Sequence, residues 1–211
     1  MEPCASCAAD CCRHFEVVVL GWDVYRIARD LSLPPESFVE LQGAAAPDVS
    51  HQWVLDVEAR EQRYHRLALK KQHGGCVFLL SVDGRGRCGI YGSRPDACRS
   101  YPGILDGERL VLARREYCPP GSWADLDEPD YRLRYQRGQK QRAIHDVVGD
   151  GWNERVLRRR ERRPPSELFA WLLGTYGSLA ARHPHWFDDT PIDEEEIRDR
   201  VTSLLVEEGW L

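Results

Sequence analysis

The sequence predicts an α+β protein: a small irregular cysteine-cluster domain with short strands and hairpins, followed by a helical C-terminal extension. Three observations predict it. All eight cysteines, from Cys4 to Cys118, fall in the first part of the chain. In that part, short β-branched runs alternate with Gly-, Pro- and Asp-containing turns, the pattern of hairpins. Beyond residue 121, apolar residues recur at three- and four-residue spacing, the period of amphipathic helices. Residues 1–121 are accordingly read as a cysteine-cluster metal-binding domain and 122–211 as a helical C-terminal region. A chain of 211 residues is long enough for a substantial core.

The elements follow in order. His14 to Leu20 is rich in valine and reads as a strand. Gly21-Trp22-Asp23 opens a helix with Asp23 as its cap and Val24, Ile27, Ala28 and Leu31 on one face. Pro34-Pro35 starts a short second helix carrying Phe38 and Leu41. Residues 43–52 read as loop, and Trp53–Val57 and Leu67–Lys71 as strands. Gly75-Cys76-Val77-Phe78-Leu79-Leu80 is a turn and a strand. Asp83-Gly84-Arg85-Gly86 is a tight connection, and Arg87-Cys88-Gly89-Ile90-Tyr91 is the return strand. Pro95 begins a short helix containing Cys98, and Asp106-Gly107 turns into a strand over Glu108–Arg115. Pro129–Val148 is helical with an interruption at Gly138, and Trp152–Arg163 forms another, basic helix. Ser166 caps a helix whose apolar side holds Leu168, Phe169, Leu172, Leu173, Tyr176 and Leu179. The last helix starts at Thr190-Pro191, with Asp193–Glu196 at its positive end and Ile197, Val201, Leu204 and Leu205 as a buried stripe.

Composition narrows the function classes. The formal charge of −5 does not fit a general nucleic-acid binder. The apolar runs Val17–Leu20 and Val77–Leu80 are far too short to span a bilayer. Met1-Glu2-Pro3-Cys4 lacks the basic and apolar regions of a secretory leader, so the expected location is the cytoplasm. Thiols stay reduced there, which favours metal over disulfides; in a secreted protein the same pattern would read as four bridges.

The chemistry lies in the cysteines. Cys4, Cys7, Cys11 and Cys12 form a dense N-terminal group, and Cys76, Cys88, Cys98 and Cys118 follow singly. All eight are candidate metal ligands. Thiolate is a soft donor that suits zinc and iron–sulfur clusters. A C-x-x-C turn brings two sulfurs to one metal, and iron–sulfur clusters use similarly short spacings. Adjacent Cys11 and Cys12 tend to diverge, so they serve different metal atoms or only one binds. A four-thiolate zinc or an oxidised four-iron cluster carries net negative charge. Arg13, Arg87, Arg94 and Arg99 stand beside the cysteines, either to offset that charge or as solvated surface residues. His14, His65 and His73 are further candidate ligands, although the cysteines already suffice for four-coordinate sites.

Other signals lead nowhere. Gly84-Arg85-Gly86-Arg87-Cys88-Gly89 matches the letters of a dinucleotide fingerprint, but the sequence after it reads as a hairpin return and not as the required helix. The arginines between Arg155 and Arg163 read as one solvated helix face. No nucleophile elbow, phosphate loop or metalloprotease helix is present.

The C-x-x-C-x-x-x-C-C run followed by Arg13 resembles the YkgJ-type cysteine-cluster family, described as zinc- or iron-chelating proteins. Gly75-Cys76-Val77-Phe78-Leu79, Arg87-Cys88-Gly89-Ile90-Tyr91 and Arg94-Pro95-Asp96-Ala97-Cys98-Arg99-Ser100-Tyr101-Pro102 resemble it too, as do Asp23–Ala28 and Phe38-Val39-Glu40. The resemblance covers roughly residues 4–121. It implies that the cysteines hold metal. Flagellin lysine N-methylases carry the same signature and an associated iron–sulfur cluster. Two departures stand out. One extra residue lies between Cys7 and Cys11, which alters how Cys4 and Cys7 stand relative to Cys11. Gly103 replaces an aromatic residue after Tyr101-Pro102, which predicts open space beside Cys98.

Three functions are therefore expected in competition. The first is a metal-binding protein holding an iron–sulfur cluster (4Fe–4S) or zinc. The second is a metal-dependent enzyme that modifies a protein side chain, methylase-like. The third is a structural zinc scaffold whose helical region docks protein partners.

Overall fold

The structure is a computed structural model and describes residues 7–44, 52–58, 61–106, 109–113, 117–119, 121–123, 129–188, 190 and 192–210. Cys4 lies outside the described residues, as does most of the stretch expected as loop over 43–52.

The chain begins with helix α1 (Asp10–His14), so Cys11 and Cys12 sit on a helical turn. Ala9, in the left-handed region at φ 61°, bends the chain into that turn. Helix α2 (Gly21–Leu31) follows. Asp23 is its third residue and not its cap; the carboxylate reaches back to accept the Leu20 N–H at 3.1 Å. The strand expected over His14–Leu20 is reduced to an isolated bridge between Val18 and Ala68, with the Val19 N–H donating to the Leu67 carbonyl and the Leu69 N–H to the Val17 carbonyl, and its first residue, His14, belongs to α1.

Pro35–Ser37 form only a 3-10 turn, and Leu41 belongs to a strand. Strands β1 (Val39–Ala44), β2 (Trp53–Glu58) and β3 (Glu61–Leu69) make an antiparallel sheet in the order β1-β3-β2. Val39 pairs with Leu69 and Trp53 with His65. Two-stranded pairs follow: β4 (Lys71–Gln72) with β5 (Gly75–Cys76), then β6 (Leu79–Val82) with β7 (Arg85–Cys88). Asp83 and Gly84 both have positive φ, 50° and 75°. That is the backbone an Asp-Gly hairpin turn requires, and it rules out the dinucleotide reading of Gly84–Gly89. Short helix α3 (Asp96–Ser100) carries Cys98. A last hairpin joins β8 (Gly103–Asp106) to β9 (Arg109–Leu112).

The C-terminal half is helical: α4 (Pro129–Arg159), α5 (Pro165–Arg182) and α6 (Glu194–Glu207). α4 runs unbroken through Gly138 and Gly149–Gly151, where the sequence predicts two helices. α6 is capped by Asp193, whose carboxylate accepts the N–H groups of Glu195 and Glu196 at 2.9 and 3.2 Å.

One hydrophobic core draws on both halves of the sequence. Val24, Ile27, Phe38, Trp53 and Leu67 share it with Ile144, Val148, Leu172, Tyr176, Val201 and Leu205. Polar contacts from α4 fix the registration. Asn153 treats the edge of β2 as a strand partner would, accepting the Val54 N–H at 2.8 Å and donating to the Gln52 carbonyl at 2.9 Å. Such pairing covers an otherwise open sheet edge. Trp152 adds a bond to the Val54 carbonyl at 2.7 Å. Buried His145 accepts the Gly21 N–H on Nδ1 at 2.9 Å and so serves the first turn of α2. Lys140, also buried, donates to the carbonyls of His185, Asp188 and Thr190 at 3.2, 2.9 and 2.8 Å. It ties the α5–α6 connection to α4.

Candidate metal centre

The cysteines are carried on small elements that the core holds in place. α1 lies against the hairpins. The carbonyl of Cys7 accepts from Arg87 Nη1 at 3.0 Å. Gly86 leaves so little room that a Cβ there would stand 2.6 Å from the Ala8 carbonyl oxygen. Gly75 faces the Cys12 carbonyl, and a Cβ there would be 3.6 Å from it. Glycine at 86 is therefore what lets the Ala8–Ala9 segment ahead of α1 sit down on β7, whereas at 75 the Cys12 carbonyl would be in ordinary contact and the crowding comes from the Leu79 side chain at 2.7 Å. β5 presents Cys76 and β7 ends on Cys88.

The thiols of Cys11, Cys76, Cys88 and Cys98 share one electrostatic environment. Burial, and then the proximity of Cys11, Cys76 and Cys88, pushes the Cys98 thiol well above its ordinary value. Cys76 is raised by burial and by Cys88 and Cys11. The Cys11 thiol is raised chiefly by its hydrogen bond with Cys12, while the Arg94 guanidinium pulls it down. Each of these groups makes ionisation of the others harder, and a bound cation reverses that cost. All seven described cysteines are free thiols.

The remaining cysteines stand differently. Cys7 is buried, and its sulfur accepts the Ala9 N–H at 3.2 Å. Cys118 is half-buried on the side of Tyr131, whose phenol it influences. Its neighbour Tyr117 stacks on His14 at 4.7 Å and meets the edge of Phe15 at 5.1 Å. This places the Cys118 segment against the end of α1. His73 lies in an exposed turn at φ 50°, and His65 sits in β3 opposite Gly43. Among the described residues, no three His, Cys, Asp or Glu side chains are arranged to hold a metal ion as they stand. The donor chemistry, four soft thiols from four segments, fits a thiophilic metal; the coordination geometry is not preformed among the described residues.

A charged node supports Cys98. Asp23 is fully buried and binds the Asp96 N–H at 3.0 Å and Arg26 Nη2 at 3.2 Å through one oxygen. It thereby holds the start of α3 against α2. Arg26 and Arg99 both donate to the Arg94 carbonyl, at 2.6 and 3.0 Å. The Asp96 carboxylate lies 3.7 Å from Arg137 Nε of α4. Burial first, and then Asp23, push Asp96 up to about 6. Burial and the Arg26 and Arg137 charges bring Arg99 down to about 10.

Two glycines explain how α4 closes on this region. A Cβ at Gly138 would stand 2.3 Å from Asp96 Oδ2, so the helix needs glycine where the carboxylate meets it. A Cβ at Gly103 would stand 2.3 Å from the Tyr131 hydroxyl. That hydroxyl accepts the Gly103 N–H at 2.7 Å and donates to the Ser100 carbonyl. The space expected beside Cys98 at Gly103 is therefore not open; the phenol of Tyr131 fills it. Sequence reasoning missed Tyr131, Gly138, Lys140 and His145, whose partners named here all lie at least 28 residues away. The one available signal was a lysine and a histidine on helix positions that periodicity assigns to the apolar side.

No described helix is long and apolar enough to cross a membrane. No curated protein and no solved structure matches the chain significantly. A family model does match, over residues 3–119, and its description is "CxxCxxCC: Putative zinc- or iron-chelating domain". With all eight cysteines inside that span, more than half of its length, the chain belongs to the CxxCxxCC family of zinc- or iron-chelating domains.

Proposed function

We propose that this is a cytoplasmic metal-binding protein in which clustered cysteine thiolates hold an iron–sulfur cluster. What supports the reading is the family match together with Cys11, Cys76, Cys88 and Cys98, free thiols from four separate segments that oppose one another's ionisation. These four are the first choice of ligands. Cys12, beside Cys11, and Cys4, Cys7 and Cys118 complete the pool. The vicinal pair favours a cluster over zinc, because neighbouring sulfurs reach different metal atoms more readily than one. When bound, such a cluster supplies electron transfer, or Lewis acidity at an iron without a fourth protein ligand. The protein's share is to crowd the thiols, shield them from water and support them with arginine.

The test is metal analysis of protein purified without oxygen. Iron with acid-labile sulfide and a broad brown absorbance supports the cluster. Stoichiometric zinc in a colourless protein sinks the cluster and leaves a thiolate zinc scaffold. Cys98→Ser should lose most of the metal; full retention removes Cys98 from the ligand set.

A further inference from the structure

Arg87 joins two cysteine segments that lie far apart in the chain. Its backbone is the last step of β7 before Cys88. Its side chain leaves that strand and donates from Nη1 to the carbonyl of Cys7 at 3.0 Å, across 80 positions of sequence. The backbone approach beside it is close. Gly86, the residue before Arg87, carries no side chain, and a Cβ there would stand 2.6 Å from the Ala8 carbonyl oxygen and 3.0 Å from the Ala9 Cβ. Ala9 holds a left-handed backbone at φ 61°, which a residue with a side chain keeps only where its surroundings fix it. From that bend the Ala9 carbonyl accepts the Cys12 N–H at 3.0 Å, and the Ala9 N–H donates to the buried sulfur of Cys7 at 3.2 Å. One anchored bend therefore directs Cys7 and starts the helical turn that carries Cys11 and Cys12. The two contacts that fasten it to β7, Arg87 on Cys7 and Gly86 under Ala8, use backbone oxygens and no sulfur.

We propose that Arg87 is a positioning residue of the thiolate centre: by holding the Cys7 carbonyl beside the bare backbone of Gly86, it assembles the Cys7–Cys12 turn on the Cys88 strand ahead of metal binding. The proposal rests on the thiolate reading and adds to it how the site is brought together. Ordering a short segment against a distant strand costs conformational entropy. Where the fold has already done that ordering, the metal–sulfur bonds do not have to supply it, and affinity rises. A guanidinium suits the task, because its hydrogen bonds are charge-assisted and fixed in direction. Arg87 is not a ligand. Its acceptor is a neutral carbonyl, so it acts by geometry and not as a counter-charge.

The test uses the full chain and two readouts. In the first, protein stripped with a chelator and kept reduced is followed by amide hydrogen exchange. R87M keeps the length of the side chain but cannot donate, and the Cys12 N–H should exchange about tenfold faster in it than in wild type. In the second, the stripped protein is titrated anaerobically with cobalt(II), whose bonds to thiolate absorb in the near ultraviolet and visible. R87M should bind cobalt about ten- to a hundredfold more weakly, the scale of a lost hydrogen bond from a charged group. R87K restores a donor and should recover to within about fivefold of wild type. Because the acceptor is neutral, the R87M deficit should be the same at low and high salt. Should R87M not fold, G86A carries the same comparison, since its new Cβ displaces the Ala8 carbonyl and leaves Arg87 in place. Unchanged exchange at Cys12, or cobalt binding as tight as wild type, overturns the anchor. A deficit that fades with rising salt overturns it as well and makes Arg87 a counter-charge. A wild-type chain that takes up no cobalt overturns the thiolate reading, and the role of Arg87 with it; failure of the anchor alone leaves wild-type uptake intact.

Discussion

Gly138→Ala should destabilise the protein, although glycine-to-alanine in the middle of a helix normally does the reverse. In an unobstructed helix the exchange gains about 1 kcal/mol from propensity. At position 138 the new Cβ would meet Asp96 Oδ2 at 2.3 Å, roughly 1 Å inside an ordinary contact. The obstacle cannot swing away cheaply. Asp96 is buried, its backbone N–H is bound to Asp23, and its carboxylate faces Arg137. Either α3 moves off α4 or the carboxylate leaves Arg137. Overpacking of this kind costs about 1–3 kcal/mol, and weakening a buried ion pair adds about 1 kcal/mol. Set against the propensity gain, the net loss is about 1–3 kcal/mol, or roughly 3–10 °C in melting temperature for a domain of this size. Urea and thermal unfolding at fixed metal content measure it. A double-mutant cycle gives the sharper reading: in an Asp96→Ala background the clash is gone, and Gly138→Ala should stabilise by about 1 kcal/mol. If Gly138→Ala stabilises the wild-type chain, the close approach of α3 and α4 at this point is wrong.

Further expectations follow from the same contacts. Tyr131→Phe removes the hydroxyl that bridges Ser100 and Gly103 and should cost about 1–2 kcal/mol by urea unfolding; a neutral result would show that the bridge does not form. Gly21→Ala places a Cβ 2.3 Å from the Tyr176 ring and should lower stability by about 1–3 kcal/mol, with the loss eased in a Tyr176→Leu background. His145→Leu leaves the Gly21 N–H without its acceptor and should cost about 1–3 kcal/mol; an unchanged denaturation midpoint would exclude that bond. Burial, and then Asp146, hold the Asp150 carboxyl above its ordinary range. An acid raised in the folded state binds its proton more tightly there than in the unfolded chain, so stability is lost as pH rises through that window. Asp150→Asn should therefore melt slightly higher than wild type at pH 7, with the advantage gone near pH 3; a lower melting point at pH 7 would contradict the assignment.

Local chemistry was legible in the sequence where neighbours decide the outcome. Asp83-Gly84 sets its own hairpin turn and the stripe from Ile197 to Leu205 its own buried face, while Asp193, expected inside a helix starting at Thr190-Pro191, is instead the cap of a helix that starts later. The cysteines also announced their chemistry, because soft donors at short spacing have few other uses. What could not be read was governed by distant partners. Gly138 reads as a helix breaker, yet it is required by a carboxylate forty-two residues earlier in the chain. Gly103 reads as vacant space, yet Tyr131 of another element fills it. The valine run after Cys12 has strand propensity, but it is a short link between α1, which ends at His14, and α2, which begins at Gly21, and it forms one isolated bridge. Spacing likewise says that sulfurs are available but not which of them meet, because that depends on how segments distant in sequence pack together.

The carbonyl cage around Lys140 has a practical consequence. Lysine side chains occur at three positions only, Lys70, Lys71 and Lys140. Lys71 is exposed, Lys70 reaches the surface, and Lys140 is enclosed by backbone oxygens of the α5–α6 connection. Amine-directed acylation followed by intact mass spectrometry would thus act as a clock for the opening of this corner. Two side chains should tag promptly, and the third should tag only as fast as the cage releases it.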